Sequence, residues 1–218
     1  MRIKALIPVR SGSQRVKDKN IRPFANSSLL EVKIRQLKRI KEIDSIVVNS
    51  NDSKMLDIAR SFNVEAIKRD DKFATNDTLA NELYVNLAKN IDTDVVLLAH
   101  VTSPLISDST IRKCIDEYKK NIFKHDSLVT VSSVKHFLWL NGNPINYNPE
   151  LKPRSQDLPD IVSLNHAIHI LPRDIMIKKK DIMGYNPMFY EISAIEGMDI
   201  DNELDFDIAE FLFKRINE

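Results

Sequence analysis

Four cations fall close together near the start of the chain: Arg10, Arg15, Lys17 and Lys19, all within IPVRSGSQRVKDKN, Ile7 to Asn20. Ser11, Gly12 and Ser13 stand among them, and Gly12 is one of only 4 glycines in the sequence. Small residues let backbone N–H groups turn towards one point, and the cations add side-chain charge there, which suits a polyphosphate. Taken alone, the loop reads as well as a solvated basic turn. A second group, Asp199-Ile200-Asp201, lies far along the chain. On an extended segment residues i and i+2 share a face, so both carboxylates can address one ion. Paired hard oxygens suit Mg²⁺, which keeps several waters and bridges to substrate phosphates. Asp201 could equally cap a following helix, with Asp205 and Asp207 as ordinary acids near its positive end.

The elements around these residues decide what they can meet. Ile3 to Val9 is apolar enough for a buried strand feeding the basic loop. Ser28 to Ile40 then has helical spacing, with Leu30, Ile34 and Leu37 along one face. Asp44 to Asp52 reads as a strand, and SKMLDIARSFNV as a helix carrying Met55, Ile58, Ala59 and Phe62. A short strand at Val64 to Ile67, a helix over Thr78 to Ile91 (Leu79, Leu83, Leu87) and a strand over Asp94 to His100 follow. VTSPL breaks the chain before a helix that starts at Ser107 or Asp108 and runs to about Lys119. Ser127 to Val134, Asn165 to Leu171 and Gly184 to Ile192 read as strands, and a last helix places Leu204, Ile208, Phe211 and Leu212 on one side. Alternating strands and helices predict an α/β fold, with a mainly parallel sheet flanked by helices. Ligand loops then belong at the carboxyl ends of the strands, where the Arg10 loop and the His100–Pro104 turn lie.

The rhythm breaks over residues 135–163, where HFLWLNGNPINYNPELKPRSQDLPD has several prolines and asparagines and no helical period. It reads as an irregular arm with a tight turn at Asn141-Gly142. Its aromatics Phe137, Trp139 and Tyr147 need a surface to cover, in the same subunit or another.

Composition narrows the function. The chain has 218 residues, 43% hydrophobic and 29% charged, in the range of one soluble globular domain spanning residues 1–218. A net charge of +1 gives no reason to expect a nucleic acid or an anionic membrane as partner. No apolar run approaches the roughly 18 residues of a membrane span, and the N-terminus turns polar too soon for a signal peptide. Cytoplasm is the expected compartment. One cysteine, Cys114, excludes an intrachain disulfide, and its place on an apolar helix side marks a structural thiol. The dinucleotide fingerprint fails for want of glycines, and a Walker A loop fails at Val16.

The basic loop resembles the first motif of the acylneuraminate cytidylyltransferases, the CMP-sialic acid synthetase family. That pattern is roughly R-x-G-S-[KQ]-x-x-x-x-K-N, matched in register by Arg10, Gly12, Ser13, Gln14, Lys19 and Asn20. Five more stretches are similar to the family in the same order. KRDDKFATNDTLA resembles a segment that places Arg69, Asp77 and Thr78 near the nucleotide. HVTSPL resembles QPTSPL, with Thr102 and Ser103 in the turn under the substrate and His100 where a glutamine commonly touches the sugar. PRSQDLPD resembles R-x-Q-D-L-P, which gives Arg154, Gln156, Asp157 and Pro159, the arginine holding an acidic sugar's carboxylate. NHAIHI resembles N-G-A-I-Y-I, with Asn165 kept and His166 in place of glycine; on a regular strand His166 and His169 would face opposite sides and share no metal. DIDNELDFDIAE resembles the closing motif, in which Asp199 and Asp201 bind the catalytic metal.

The resemblance implies a Rossmann-like nucleotidyltransferase fold with a small dimerisation arm that lends residues to a neighbouring site. It implies CTP and an acidic, sialic-acid-like sugar as substrates, Mg²⁺ as cofactor, and a homodimer. The triphosphate would lie over Arg10, Gly12, Ser13, Arg15, Lys19 and Asn20, with Arg10, Lys19 and Asp201 as the catalytic groups. Three departures fall on positions expected to face the sugar: His100, His166 and Trp139, the last near the point where some relatives place a lysine. Arg15, where many sialic-acid enzymes have glycine, looks more like the synthetases for pseudaminic or legionaminic acid. Two other readings stand beside this one. A metal-dependent glycosyltransferase could use Asp199-Ile200-Asp201 as its D-x-D, and a catalytically silent nucleotide or sugar sensor could keep the fold.

Overall fold

The chain is described here by a computed structural model of residues 1–217. β1 (Ile3–Pro8) leads into the basic loop, and a small ribbon of β2 (Pro23–Phe24) and β3 (Ser27–Ser28) leads out of it into α1 (Leu29–Lys38). β4 (Ser45–Ser50), α2 (Ser53–Ser61), β5 (Glu65–Lys68), α3 (Ala80–Lys89), β6 (Val95–Ala99) and α4 (Asp108–Asn121) follow. Then come β7 (Ser127–Val134), the hairpin β8 (Trp139–Leu140) and β9 (Asn143–Pro144), the long β10 (Ile161–Pro172), α5 (Arg173–Lys179), β11 (Pro187–Glu191) and α6 (Glu203–Asn217). The main sheet has seven strands in the order β11-β7-β10-β6-β1-β4-β5, and β10 alone runs antiparallel to its neighbours.

β1 and β6 are buried on both faces, as continuous apolar strands of a covered sheet must be. Ile3, Ala5 and Ile7 pack with α1, α2, α4 and α6; Leu6, Val96 and Leu98 pack with Leu87 of α3 and Met176 of α5 on the other face. Ser28 caps α1 by accepting from the Glu31 N–H, and Ser107 caps α4 through the Thr110 N–H.

The structure corrects four sequence expectations. α5 went unpredicted; its seven residues are too short to show a period. On α6, Leu204, Ile208 and Phe211 are exposed, while Phe206 and Ala209 are buried against Phe24 and its neighbours. Leu79 is exposed too, just ahead of α3. α1 carries Lys33 and Gln36 on its buried side, beside the expected Leu30, Ile34 and Leu37.

In the arm, Asn141 and Gly142 both have positive φ (49° and 79°), the pairing that a tight two-residue hairpin demands. Phe137 and Trp139 each meet the Tyr147 ring edge-on, and Asn146 staples the hairpin by bonding the Leu138 N–H and the His136 carbonyl.

Candidate active site

A cleft of 510 Å³ opens at the carboxyl ends of β1 and β6, with Arg10, Ser13, Arg15, Lys19, His100 and Thr102 in its wall. Here β1 has β4 on one side and β6 on the other, so the two crossovers diverge and leave a crevice. The loop after β1 is pinned by Val16, which is buried, and by Asn20. The Asn20 amide donates to the Arg10 carbonyl at 2.9 Å, and its own carbonyl accepts from Leu30 N–H at 3.0 Å. Asn20 is therefore the clasp that shapes the loop. Gly12 (φ 79°) supplies a left-handed turn that a side chain would strain. Lys17 is exposed and lies off the cleft wall.

The remaining cations are each engaged. Arg10 donates to Ala74 O (2.7 Å) and Asn76 Oδ1 (2.6 Å), which draws the segment after β5 to the cleft. Arg15 donates to Asp201 Oδ1 at 2.6 Å, and Lys19 to Ile200 O at 2.6 Å. Burial holds the Lys19 ammonium below its usual range, against the pull of Asp199 and Asp201.

Asp199-Ile200-Asp201 is fixed by its middle residue. The Ile200 side chain is fully buried, and its N–H donates to Thr102 O at 2.9 Å. Ile200 turns inward, so on this extended segment its two neighbours turn away from the core together. The capping alternative for Asp201 falls away. Asp205 Oδ2 takes the N–H groups of Asp201 (2.9 Å) and Asn202 (3.0 Å), and Asn202 Oδ1 takes that of Asp205. Asp199 Oδ1 is sealed from solvent with no partner. Burial raises the Asp199 carboxyl above its usual range, aided by Asp201 and opposed by the Thr102 hydroxyl and Lys19. An orphaned carboxylate oxygen beside a second acid fits a bound cation. Among the described residues no three His, Cys, Asp or Glu side chains converge on one point. That suits an ion that draws its other oxygens from water and substrate.

Other expected site residues lie elsewhere or play a different part. Arg69 borders the cleft but is almost fully buried, with Nε and Nη2 on the side chain and carbonyl of Asn49. Burial pushes its pKa down to about 10, with Arg10 nearby adding to the shift. Thr78 closes its own loop on Lys72 O, and Asp77 is exposed; neither lines the cleft. Asn76 takes that place, unpredicted because nothing marks one asparagine in a polar loop. Ser103 is buried beneath the turn, with its carbonyl accepting from Lys33 Nζ at 3.0 Å. Asn165 is buried in β10, bonded to Thr130, Ser132 and the Ala167 N–H. It holds the strand's irregularity, its Oδ1 accepting twice and its Nδ2 donating to Ser132 Oγ. Arg154 pairs with Asp157 at 2.9 Å on the arm, and neither it nor Gln156 lines the cleft of its own chain. His166 and His169 do not face opposite sides: a break in β10 brings their rings together. Cys114 is buried and its thiol is pushed up to about 12 by that burial, so it is no nucleophile at neutral pH.

Comparison with known proteins adds to this geometry. The family model described as Cytidylyltransferase matches residues 4–185. Post-translational flagellin modification protein B of Campylobacter coli is 25% identical, over 97% of this chain and 94% of that protein. CMP-N,N'-diacetyllegionaminic acid synthase of Campylobacter jejuni is 24% identical, over 97% and 94%. N-acylneuraminate cytidylyltransferase of Oncorhynchus mykiss is 24% identical over 95% of this chain, which spans 49% of that longer protein. Among solved structures, CMP:2-keto-3-deoxy-manno-octonic acid synthetase complexed with CTP superimposes with a TM-score of 0.75 at 12% identity, covering 99% of this chain and 100% of that one. At that identity the likeness is one of fold.

Proposed function

Because the chain belongs to the cytidylyltransferase family, we propose that it transfers CMP from CTP to a nonulosonic acid of the sialic, legionaminic or pseudaminic type, releasing pyrophosphate. The observation that carries this is the meeting of the basic loop with the acidic pair, Arg15 on Asp201 and Lys19 on the Ile200 carbonyl. A triphosphate needs both cationic donors and a divalent ion, and here the acidic pair is tied to the basic loop. The names of the full-length bacterial relatives point to the same acceptor class.

Asp199 and Asp201 would hold Mg²⁺, which supplies charge neutralisation at the phosphates when bound. The chain's own part is positioning and field. Arg10, Arg15 and Lys19 favour the developing negative charge on the leaving pyrophosphate, and the Gly12 turn presents backbone N–H groups. Asn20 keeps that loop in shape, and Thr102 shares the wall with the incoming acceptor.

The arm would complete the site in a homodimer. It exposes Trp139, Leu140, Ile145 and Leu151, apolar surface suited to a second copy. Arg154, off the cleft of its own chain and paired there only with Asp157, would then meet the acceptor carboxylate across the interface. Sedimentation of wild type and Trp139→Asp checks this: a dimer converted to monomer is expected, and a monomeric wild type sinks it.

The test of the reaction is pyrophosphate release with CTP and Mg²⁺ against N-acetylneuraminic, legionaminic, pseudaminic and 3-deoxy-octulosonic acids. Turnover with one of the first three is expected. CTP binding without turnover of any would leave a silent binder.

A further inference from the structure

Three of the chain's 5 histidines meet at one place. β10 loses its register with β7 between Leu164 and His169, and His166 sits in that break with a φ of 57°. Side-chain-bearing residues rarely adopt this conformation. The break swings His166 onto the His169 side of the strand. Its Nδ1 lies 3.3 Å from His169 Nε2, with the rings stacked at 5.4 Å. His100, in the cleft wall, has its ring 6.1 Å from that of His166 and 6.3 Å from that of His169. The cluster is not a metal site, because no three such side chains converge among the described residues.

The protons can be counted. A contact between two imidazole nitrogens holds one hydrogen, since two N–H groups or two lone pairs would repel. The group that favours a proton on the buried His169 is the Ile182 backbone. One of the two arrangements puts the His169 N–H on Nδ1 and leaves Nε2 to accept, so that His166 donates from Nδ1. In that arrangement His166 Nε2 is a bare lone pair, on a half-buried residue whose ring lies 6.1 Å from that of His100 in the cleft wall. An imidazole fixed through one nitrogen and bare at the other has the arrangement of a general base. The charged and titratable groups around it are His100, His169 and Asp199, with Lys19 and Lys33 acting on His100. Burial pushes His100 down to about 4 and holds His169 well below its usual range, so neither competes for a proton at neutral pH.

We propose that His166 is the catalytic base that takes the acceptor's hydroxyl proton, and that His169 is the positioning residue that orients it. The proposal rests on the reaction given above. As the acceptor oxygen bonds to the α-phosphorus, its proton passes to His166 Nε2. The bond from the α-phosphorus to the bridging oxygen breaks, and pyrophosphate leaves with that electron pair.

His166→Gly tests this directly, because glycine adopts the left-handed backbone freely and leaves room for added imidazole. With an acceptor the wild type uses, turnover should fall by ~10²-fold or more, with CTP affinity unchanged and thermal stability equal or higher. Added imidazole should restore activity to His166→Gly in a concentration-dependent way. His169→Asn should also slow turnover and gain nothing from imidazole. Nitrogen NMR of the ligand-free protein should show His166 unprotonated at Nε2. A glycine variant as active as wild type, or one that imidazole fails to revive, overturns the proposal. A wild type inert towards every acceptor sinks the underlying reaction instead, and so is a different result.

Discussion

The two ends of the cleft are built on opposite plans. At the phosphate end, long side chains on a loop hold exposed partners: Arg15 is 69% and Asp201 49% exposed in their ion pair. An exposed pair of this kind contributes about 1 kcal/mol or less, so metal and nucleotide can displace it. At the acceptor end, imidazoles stand on strands or at their ends, with His100 Nε2 and His169 Nδ1 sealed and unpaired. Each such orphan costs about 1–3 kcal/mol, a cost the fold retains. The phosphate end exchanges partners when its ligands arrive. The acceptor end is set in advance, and on the proposed reading selectivity among sugars would belong there.

The sharpest blow to this contrast is Asp201→Ala. Turnover should fall by ~10²–10³-fold while the fold stays intact, measured by pyrophosphate release and circular dichroism. Near-normal activity would move the metal away from the phosphate end. Arg154→Ala should raise KM for the acidic acceptor ~10-fold through a lost charge-assisted pair, with KM for CTP unmoved. An unchanged acceptor KM would place the carboxylate within the chain's own cleft.

A subtler effect concerns Lys33, fully buried under the acceptor turn on Ser103 O and Gln36 Oε1. Burial pushes its pKa down to about 7 from 10.5, with Asp108 pulling the other way. Between those values the unfolded chain binds more protons, so stability rises with pH across that window. The wild-type Tm should gain from this rise, and Lys33→Met should lose that part of the slope; a wild type and variant with parallel pH dependence would show the lysine charged or solvated in the fold. The smallest effect is expected of Arg15→Ala: a stability change within about 0.5 kcal/mol by denaturant titration, with KM for CTP clearly raised. A large loss of stability would mean that the phosphate end is as rigid as the acceptor end.

The contrast also explains what could be read from the sequence. The basic loop and the acidic pair are local patterns, legible because i to i+2 spacing and a strand–loop–helix order fix where such groups go. The central strands were legible for the same reason. The meeting of His166 with His169 was not, because it depends on a one-strand irregularity that reverses a side chain's face. Its one signal was a side chain where relatives keep glycine, which marks a left-handed backbone. Lys33 was hidden because helical periodicity assigns a lysine to solvent. Arg69, Asn165 and Ser103 resembled ligand contacts by motif, yet each has its polar atoms near the cleft taken up by the protein or buried below its wall. The apolar face of α6 was misplaced because Leu204, Ile208 and Phe211 repeat as regularly as Phe206 and Ala209 do.

The segment that holds the acids is made after every strand of the main sheet. Arg22 pairs with Glu203, the Ala25 N–H with Glu210, and Phe24 packs edge-on against Phe206 and Phe213. During synthesis the basic loop has no counter-charge until the chain passes Asp201. A polypeptide halted after β11 would own every strand of the main sheet and every phosphate cation, yet neither acid, and Phe24 would stand uncovered. Quality control would see exposed aromatic surface in the same fragments that lack catalytic capacity, so incomplete copies would betray themselves by the segment they are missing.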